Sequence, residues 1–380
     1  MKAGSQAAAD DPAARRAAAV LTVDLAAIQA NYRRLQAELG QVECAAVVKA
    51  DAYGLGATRV APALAAAGAR RFFVALLDEA IALRGILAET CPEATIGVLA
   101  GLMPGAEADY LAHRIMPVLN RPEEVERWRV LAGREDRRLT AALHVDTGMN
   151  RLGLSPGELD DLAAAPARLD GIELALCMSH LACAEEPDNP LSAQQLEAFE
   201  AARRRLPTAK GSLANSSGIF LGPAYHFELA RPGAALYGVN PTPGAPNPMA
   251  QVIRLQGKIL QVREIDAPQS VGYGATFRAS EPMRLATVGV GYADGYLRSL
   301  SNRGTAFLAG HEVPVVGRVS MDLITLDVTA VPPEAARPGE WVDLIDPERG
   351  PDALAAQAGT IGYEILTALG RRYHRTYTSA

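Results

Sequence analysis

A lysine at the end of an apolar run is the first residue here whose setting suggests chemistry. Ala-Ala-Val-Val (45–48) leads into Lys49, and Ala-Asp-Ala-Tyr-Gly-Leu-Gly (50–56) follows. Small and β-branched residues ending in glycines read as a buried strand that runs into a loop. An ammonium group is costly to desolvate there unless it is bonded to something. Two readings fit. The lysine stem snorkels out to water, or the amine forms a Schiff base, for which an apolar setting keeps it nucleophilic.

The residues around Lys49 gain meaning from what must position them. After a short strand at 20–23, Asp24 is placed to cap a helix whose apolar face is Leu25, Ile28, Tyr32, Leu35 and Leu39, with Gly40 as its stop. Strand-like apolar runs then recur near 42–48, 71–76, 95–99, 115–119, 139–146, 172–180, 210–214 and 228–237. Helical segments such as 80–87, 123–131, 156–164 and 192–205 lie between them. Runs that are apolar on both faces suit a parallel sheet covered by helices. Repeated βα units over this length suggest a (β/α)8 barrel of the TIM type. An open doubly wound sheet is the alternative, although no G-x-G-x-x-G follows the first run.

A proline-rich stretch, Pro241 to Pro248, marks a change of character. Beyond it come short strand-like runs at 252–262, 284–289, 313–319 and 323–328, with helix only near 352–370. The expected division is a loose tail at 1–19, a barrel domain at 20–240 and a mostly β C-terminal domain at 241–380. The first strand and helix are candidates for packing on the second domain.

The barrel makes a sharp demand, because its functional groups belong at the C-terminal ends of strands. Lys49 follows the first run and Asp-Thr-Gly-Met-Asn-Arg (146–151) the fifth. His180 closes the sixth, Asn-Ser-Ser (215–217) follows the seventh, and Arg-Pro-Gly (231–233) interrupts the eighth. Each has a plainer reading: a turn, a helix cap or a satisfied core histidine. Together they describe one rim with a lysine, hydroxyls, backbone amides and arginines.

The totals narrow the class. A net charge of −6 argues against nucleic acid or an anionic membrane as the main partner. The four cysteines show no C-x-x-C spacing, and the six histidines form no ligand pair, so neither a disulfide scaffold nor a metal centre is indicated. The N-terminus lacks the apolar stretch of an export signal, so a cytoplasmic location is expected.

Six motifs in register carry a resemblance. They are Val-Val-Lys-Ala-Asp-Ala-Tyr-Gly-Leu-Gly (47–56), Asp-Thr-Gly-Met-Asn-Arg-Leu-Gly (146–153), Ala-Arg-Pro-Gly (230–233), Gly-Tyr-Gly-Ala-Thr-Phe (272–277), Gly-Tyr-Ala-Asp-Gly (291–295) and Gly-Arg-Val-Ser-Met-Asp (317–322). Over about 20–378 the chain resembles the bacterial alanine racemases, fold-type III enzymes dependent on pyridoxal 5'-phosphate (PLP). The resemblance implies a barrel followed by a β domain, and a homodimer with active sites shared between subunits.

It also implies roles. Lys49 carries PLP and acts as the base for the D-enantiomer. Tyr273, from the partner subunit, acts for the L-enantiomer. A free tyrosine ionises near pH ~10, so that role needs a cation close by. Tyr53, Ser216, the amides of Gly233 and Ala234, and Tyr363 match the phosphate site. Arg231 matches the group facing the pyridine nitrogen, and His180 one packed beside the ring. Arg151 is expected to bind the substrate carboxylate and help position Tyr273. Met321 meets substrate from the second subunit, and Tyr292 and Arg298 match residues near the entrance.

One position departs from the family. Many members have a lysine, often carbamylated, before the Val-Asp-Thr-Gly run, where this chain has His144. Imidazole cannot form that carbamate. Arg151 is therefore expected to be held by water, an anion or a hydrogen bond to His144. Rival readings are a serine or broad-specificity racemase, a non-catalytic PLP-binding protein, and a decarboxylase of basic amino acids. The second-domain motifs weigh against the last two.

Overall fold

The computed structural model describes residues 12–207 and 209–378. Eight parallel segments close a barrel. The first is split into β2 (Glu43–Cys44) and β3 (Ala46–Val47). The others are β4 (Arg71–Val74), β5 (Thr95–Val98), β6 (Ile115–Leu119), β7 (Leu139–His144), β8 (Ile172–Met178), β9 (Lys210–Ser212) and β10 (Leu229–Ala230). Strands β3 to β9 form one continuous sheet in chain order. Strand β10 pairs with β2, and the amides of Glu228 and Arg231 donate to Gly211 O and Ala214 O, so the ring closes. All five residues of β6 are buried, as a strand covered on both faces requires.

The eighth segment is shorter than the apolar run 228–237 suggests. Pro232 has no amide to donate, and a 3-10 turn over Ala234–Tyr237 replaces the strand. The helices agree more closely: Leu77–Ile86, Pro122–Arg134, Pro156–Ala164 and Pro190–Arg203. Asp24 caps the first long helix by accepting from Ala27 N at 2.9 Å.

The first strand, β1 (Ala19–Asp24), leaves the barrel altogether. It lies between β11 (Ile253–Ile265) and β19 (His374–Thr378) in the sheet of the second domain. Its helix, Leu25–Leu39, packs back on the barrel through Tyr32, whose hydroxyl donates to Cys44 O. The chain thus crosses between domains within twenty residues of its first strand, and one apolar cluster runs through both domains.

The second domain also contains β12 (Ser270–Val271), β13 (Phe277–Arg278), β14 (Met283–Val288), β15 (Thr305–Leu308), β16 (His311–Pro314), β17 (Ile324–Asp327) and β18 (Trp341–Ile345). The run expected at 313–319 stops as a strand at Pro314, and the chain turns at Gly317. Residues 1–11 of the expected tail lie outside the described residues. Residues 12–16 depart from it, because they form a helix with Ala14 buried. Lys258 anchors this segment, its Nζ donating to Arg15 O at 2.8 Å and its amide to Ala18 O.

Candidate active site

Lys49 opens a left-handed turn. Ala50, Asp51, Ala52 and Tyr53 all have φ between 52° and 56°. Such residues cost roughly 1–2 kcal/mol each, so the turn must be held from outside. Glu79, at the start of the helix after β4, does so from one side. Its Oε1 accepts from Ala50 N at 2.6 Å, and its Oε2 accepts from Ala75 N and Leu76 N. Asp51 accepts from Ala57 N at 2.7 Å. The second domain holds the far end, with Arg375 donating to Gly54 O and Tyr377 to Leu55 O. Lys49 is half-buried, and its pKa is lowered by burial and then by Arg151, while Glu79 pulls the other way. The amine is thereby made easier to deprotonate.

Next to the turn is a cradle of neutral donors. Ser216 Oγ is reached by the amides of Gly233 at 3.0 Å and Ala235 at 3.2 Å. A Cβ at Gly233 would come within 3.0 Å of Tyr53 Cζ and closer still to its hydroxyl. The Tyr53 ring packs against Tyr237 at 4.8 Å and against Tyr363 of the second domain at 6.2 Å. Burial raises the pKa of Tyr53, and that of Tyr363 to about 12, so both phenols remain donors. Ser217 Oγ is buried with no partner among the described residues. Converging hydroxyls and amides with an orphaned donor suit a phosphate group.

Arg231 is buried beneath this rim. It donates to Ser212 Oγ and to Ser179 O at 2.6 Å, and lies 3.5 Å from His180 Nδ1. Burial lowers its pKa only to about 10, so it stays charged near neutral pH. Burial, then Arg231 and Arg151, depress His180 to about 3. His180 is therefore neutral, with Gln195 Nε2 donating to its carbonyl. His144 closes β7 with Nδ1 2.8 Å from Asn120 Oδ1. The structure does not contain the alternative in which His144 bonds Arg151. The Arg151 side chain is exposed and makes no hydrogen bond or ion pair among the described residues, although it is felt electrostatically by Lys49, His144 and His180.

The remaining sequence-derived positions form a separate cluster on the second domain. Tyr273 is 72% exposed at the tip joining β12 and β13. Its flanking Gly272 packs near Arg318 N. Tyr292 N donates to Ser320 O and Ala293 N to Met321 O, which joins two more motifs. Arg298 O accepts from Ser301 Oγ, which in turn accepts from Val319 N. Arg372 clamps the cluster through Asp294 at 3.0 Å and Asp322 at 2.7 Å. So Lys49, Tyr53, Arg151, His180, Ser216, Arg231, Gly233, Ala234 and Tyr363 gather at the barrel mouth. Tyr273, Tyr292, Arg298 and Met321 gather on one exposed face elsewhere.

Glu79, Asn120 and Gln195 are site residues that the sequence reading did not single out, and Ser217 entered it only as part of the Asn-Ser-Ser run. Asn120 carried a usable signal, being a polar residue directly after an apolar run. Glu79 carried none beyond its place in a helical first turn.

A parallel barrel with a rim lysine beside a phosphate-type cradle, joined to a β domain, defines the barrel-plus-β class of fold with its candidate site at the barrel mouth. The alanine racemase N-terminal domain matches residues 23–241 and the alanine racemase C-terminal domain residues 252–377. The chain belongs to the alanine racemase family. It is 56% identical to an alanine racemase of Rhodospirillum rubrum over 95% of this chain and 96% of that one. A catabolic alanine racemase of Mesorhizobium japonicum is 52% identical over 95% and 93% of the two chains. The crystal structure of alanine racemase from Bartonella henselae with covalently bound pyridoxal phosphate superposes with a TM-score of 0.91 at 43% identity, covering 95% of this chain and all of that one.

Proposed function

We propose that this protein interconverts L- and D-alanine with PLP bound to Lys49, in a homodimer whose active sites draw on both subunits. The observation that carries this is Lys49 itself. It is a rim lysine of lowered pKa, held in a left-handed turn beside the Tyr53–Ser216–Gly233 cradle, in a chain whose relatives over nearly its full length are alanine racemases. Tyr53, Ser216, Tyr363 and the amides of Gly233 and Ala234 would hold the phosphate. Arg231 would face the pyridine nitrogen with His180 beside the ring. When bound, PLP supplies an electron-withdrawing ring that acidifies the substrate Cα–H.

The chain's own groups then handle protons. Racemisation needs removal on one face of Cα and delivery on the other, which two bases do more simply than one. Lys49 Nζ serves one face. Tyr273 of a second subunit serves the other, its exposure in a single chain fitting a residue that completes a neighbour's site. Arg151 orients the substrate carboxylate and supplies the cation that a basic tyrosine needs. Arg231, charged near neutral pH and a far weaker acid than a pyridinium, would donate a hydrogen bond to the ring nitrogen without giving up its proton. A weaker electron sink limits leakage into transamination.

The product fits a supply of D-alanine for peptidoglycan in the cytoplasm. No helix among the described residues is long and apolar enough to cross a membrane. The deciding experiment is solvent-deuterium incorporation into L- and D-alanine by wild type, Lys49→Ala and Tyr273→Phe. Loss of exchange from the L-enantiomer alone is expected for Tyr273→Phe. Full-rate exchange there would sink the two-base assignment.

A further inference from the structure

A cavity of about 320 Å³ opens at the end of the barrel opposite Lys49. It lies beneath the first residues of β5, β6 and β7, where the chain returns from three helices through the loops at 87–94, 113–114 and 135–138. Four arginines line it, Arg84, Arg114, Arg137 and Arg138, against one carboxylate, Glu93. The whole chain carries −6, so this positive surplus is local. Arg84 donates to His113 O at 3.0 Å, Pro92 O at 3.2 Å, Ala94 O at 2.8 Å and Arg114 O at 2.8 Å. It ties two of the loops together, and its bonds are all to carbonyls. Arg114 reaches Glu93 only at 3.9 Å and Arg137 reaches Glu135 only at 4.0 Å, with all four side chains exposed. Such pairs contribute little in water. Arg138 donates to Ile172 O at 3.3 Å and has no ion pair among the described residues.

The floor of the cavity is apolar and carries one unmatched donor. Ile115, Met116 and Leu139 are buried there. Trp128, on the helix Pro122–Arg134, is 1% exposed and stands edge-on to Tyr110 with ring centres 6.1 Å apart. Its Nε1 is buried and has no acceptor among the described residues. A buried indole N–H ordinarily has a partner. Trp128 lines the cavity, so an acceptor seated there is the partner for which the fold leaves room.

We propose that this cavity binds a small organic phosphate, with the phosphate among Arg114, Arg137 and Arg138, and the organic part on the apolar floor offering an acceptor to Trp128 Nε1. Several guanidinium groups suit a phosphate dianion better than a lone carboxylate, because each planar fork pairs with two oxygens. The volume lies at the small end of ligand pockets and exceeds what bare phosphate fills. The site faces away from the barrel mouth, so its ligand competes with nothing bound at Lys49. Because it joins three loops, occupancy stabilises the barrel. The site does not depend on the activity proposed above.

The probe is adenosine monophosphate (AMP), which joins a phosphate to a flat ring, with inorganic phosphate and adenosine as its halves. Calorimetry on the holoenzyme should show one AMP per chain with a Kd below about 1 mM, and weaker binding of each half. Arg137 and Arg138 are exposed, so replacing both with alanine leaves the fold intact. The pair Arg137→Ala and Arg138→Ala should weaken AMP at least about tenfold. Trp128→Phe keeps a ring but removes the N–H, and should weaken it about threefold to tenfold. Trp128 and Trp341 are the two tryptophans of the chain, so Trp341→Phe leaves Trp128 as the sole indole emitter. Its emission should shift when AMP is added. Absence of AMP binding, or binding untouched by the arginine replacements, would overturn the site. Inorganic phosphate binding as tightly as AMP would overturn the organic part, and unmoved Trp128 emission would overturn the indole contact.

Discussion

Tyr53 and Gly233 interlock: the tyrosine hydroxyl occupies the space that any side chain at position 233 would need, with Tyr53 Cζ 3.0 Å from the Cβ position. The first strand of the barrel and the turn after the last are thereby fitted to each other. Because Tyr53 stands on the left-handed turn begun by Lys49, the fit also sets the lysine's relation to the cradle. Gly233→Ala should weaken PLP binding by one to two orders of magnitude while the fold survives, since overpacking costs about 1–3 kcal/mol. Cofactor titration followed by visible absorbance, with circular dichroism as the control for folding, measures it. Unchanged PLP affinity would mean that the fit is not part of the cradle.

Lys49 is held between a cation and an anion. Burial lowers its pKa first, Arg151 lowers it further, and Glu79 raises it. Only the neutral amine attacks an aldehyde, so the pH at which the apoprotein takes up PLP half-maximally fast follows that pKa. Arg151→Gln should move this midpoint to higher pH, and Glu79→Gln to lower pH with some loss of stability from the unsupported turn. Stopped-flow absorbance across pH tests the pair. Shifts in the same direction would refute the electrostatic account.

His144 and His180 set an acid limit. Their ordinary value of 6.5 falls to about 4 and about 3 in the folded chain, chiefly through burial. Below pH 6.5 the unfolded chain therefore binds protons that the folded chain refuses. Stability should be intact above that pH and decline as it falls toward the folded values, by about 1.4 kcal/mol per pH unit for each histidine. Urea unfolding at several pH values measures the slope. His180→Gln should remove one histidine's share, and an unchanged slope would show that His180 is not the group refusing the proton.

If the sites are shared, two dead variants should rescue each other. In a mixed dimer of Lys49→Ala and Tyr273→Phe, one site receives both defects and the other receives neither. Random exchange of subunits at equal amounts then restores about a quarter of wild-type activity, because half the dimers are mixed and each has one intact site. Assays after mild dissociation and remixing decide the matter. If the mixture shows no activity beyond its parents, both bases come from one chain.

Elements with one kind of surface were legible in the sequence, and elements with two kinds were not. Most barrel-strand positions are buried on both faces, so runs such as β6 stood out at the observed bounds. Strand β19 reads His-Arg-Thr-Tyr-Thr and is half-buried throughout. It has no apolar run to find and exists because β1 lies beside it. Strand β15, Thr-Ala-Phe-Leu, is four residues long and buries only every second one, too short a pattern to stand out.

The sequence by itself determined which residues stand where strands end. Chain order, strand spacing and the six motifs placed Lys49, Arg151, His180, Ser216 and Arg231 on one rim, because in a parallel barrel every C-terminal strand end faces the same way. Tertiary structure decided what those residues are able to do. The left-handed turn at Ala50–Tyr53 is unfavourable in isolation and survives through Glu79 from a neighbouring βα unit and Arg375 and Tyr377 from the second domain. The proton on His144 is placed by Asn120, the residue just past the adjacent strand, whose own orientation depends on the carbonyls of Leu99 and Val118. Local sequence encodes the direction of a chain, whereas hydrogen-bond partners and desolvation are properties of what the fold brings alongside.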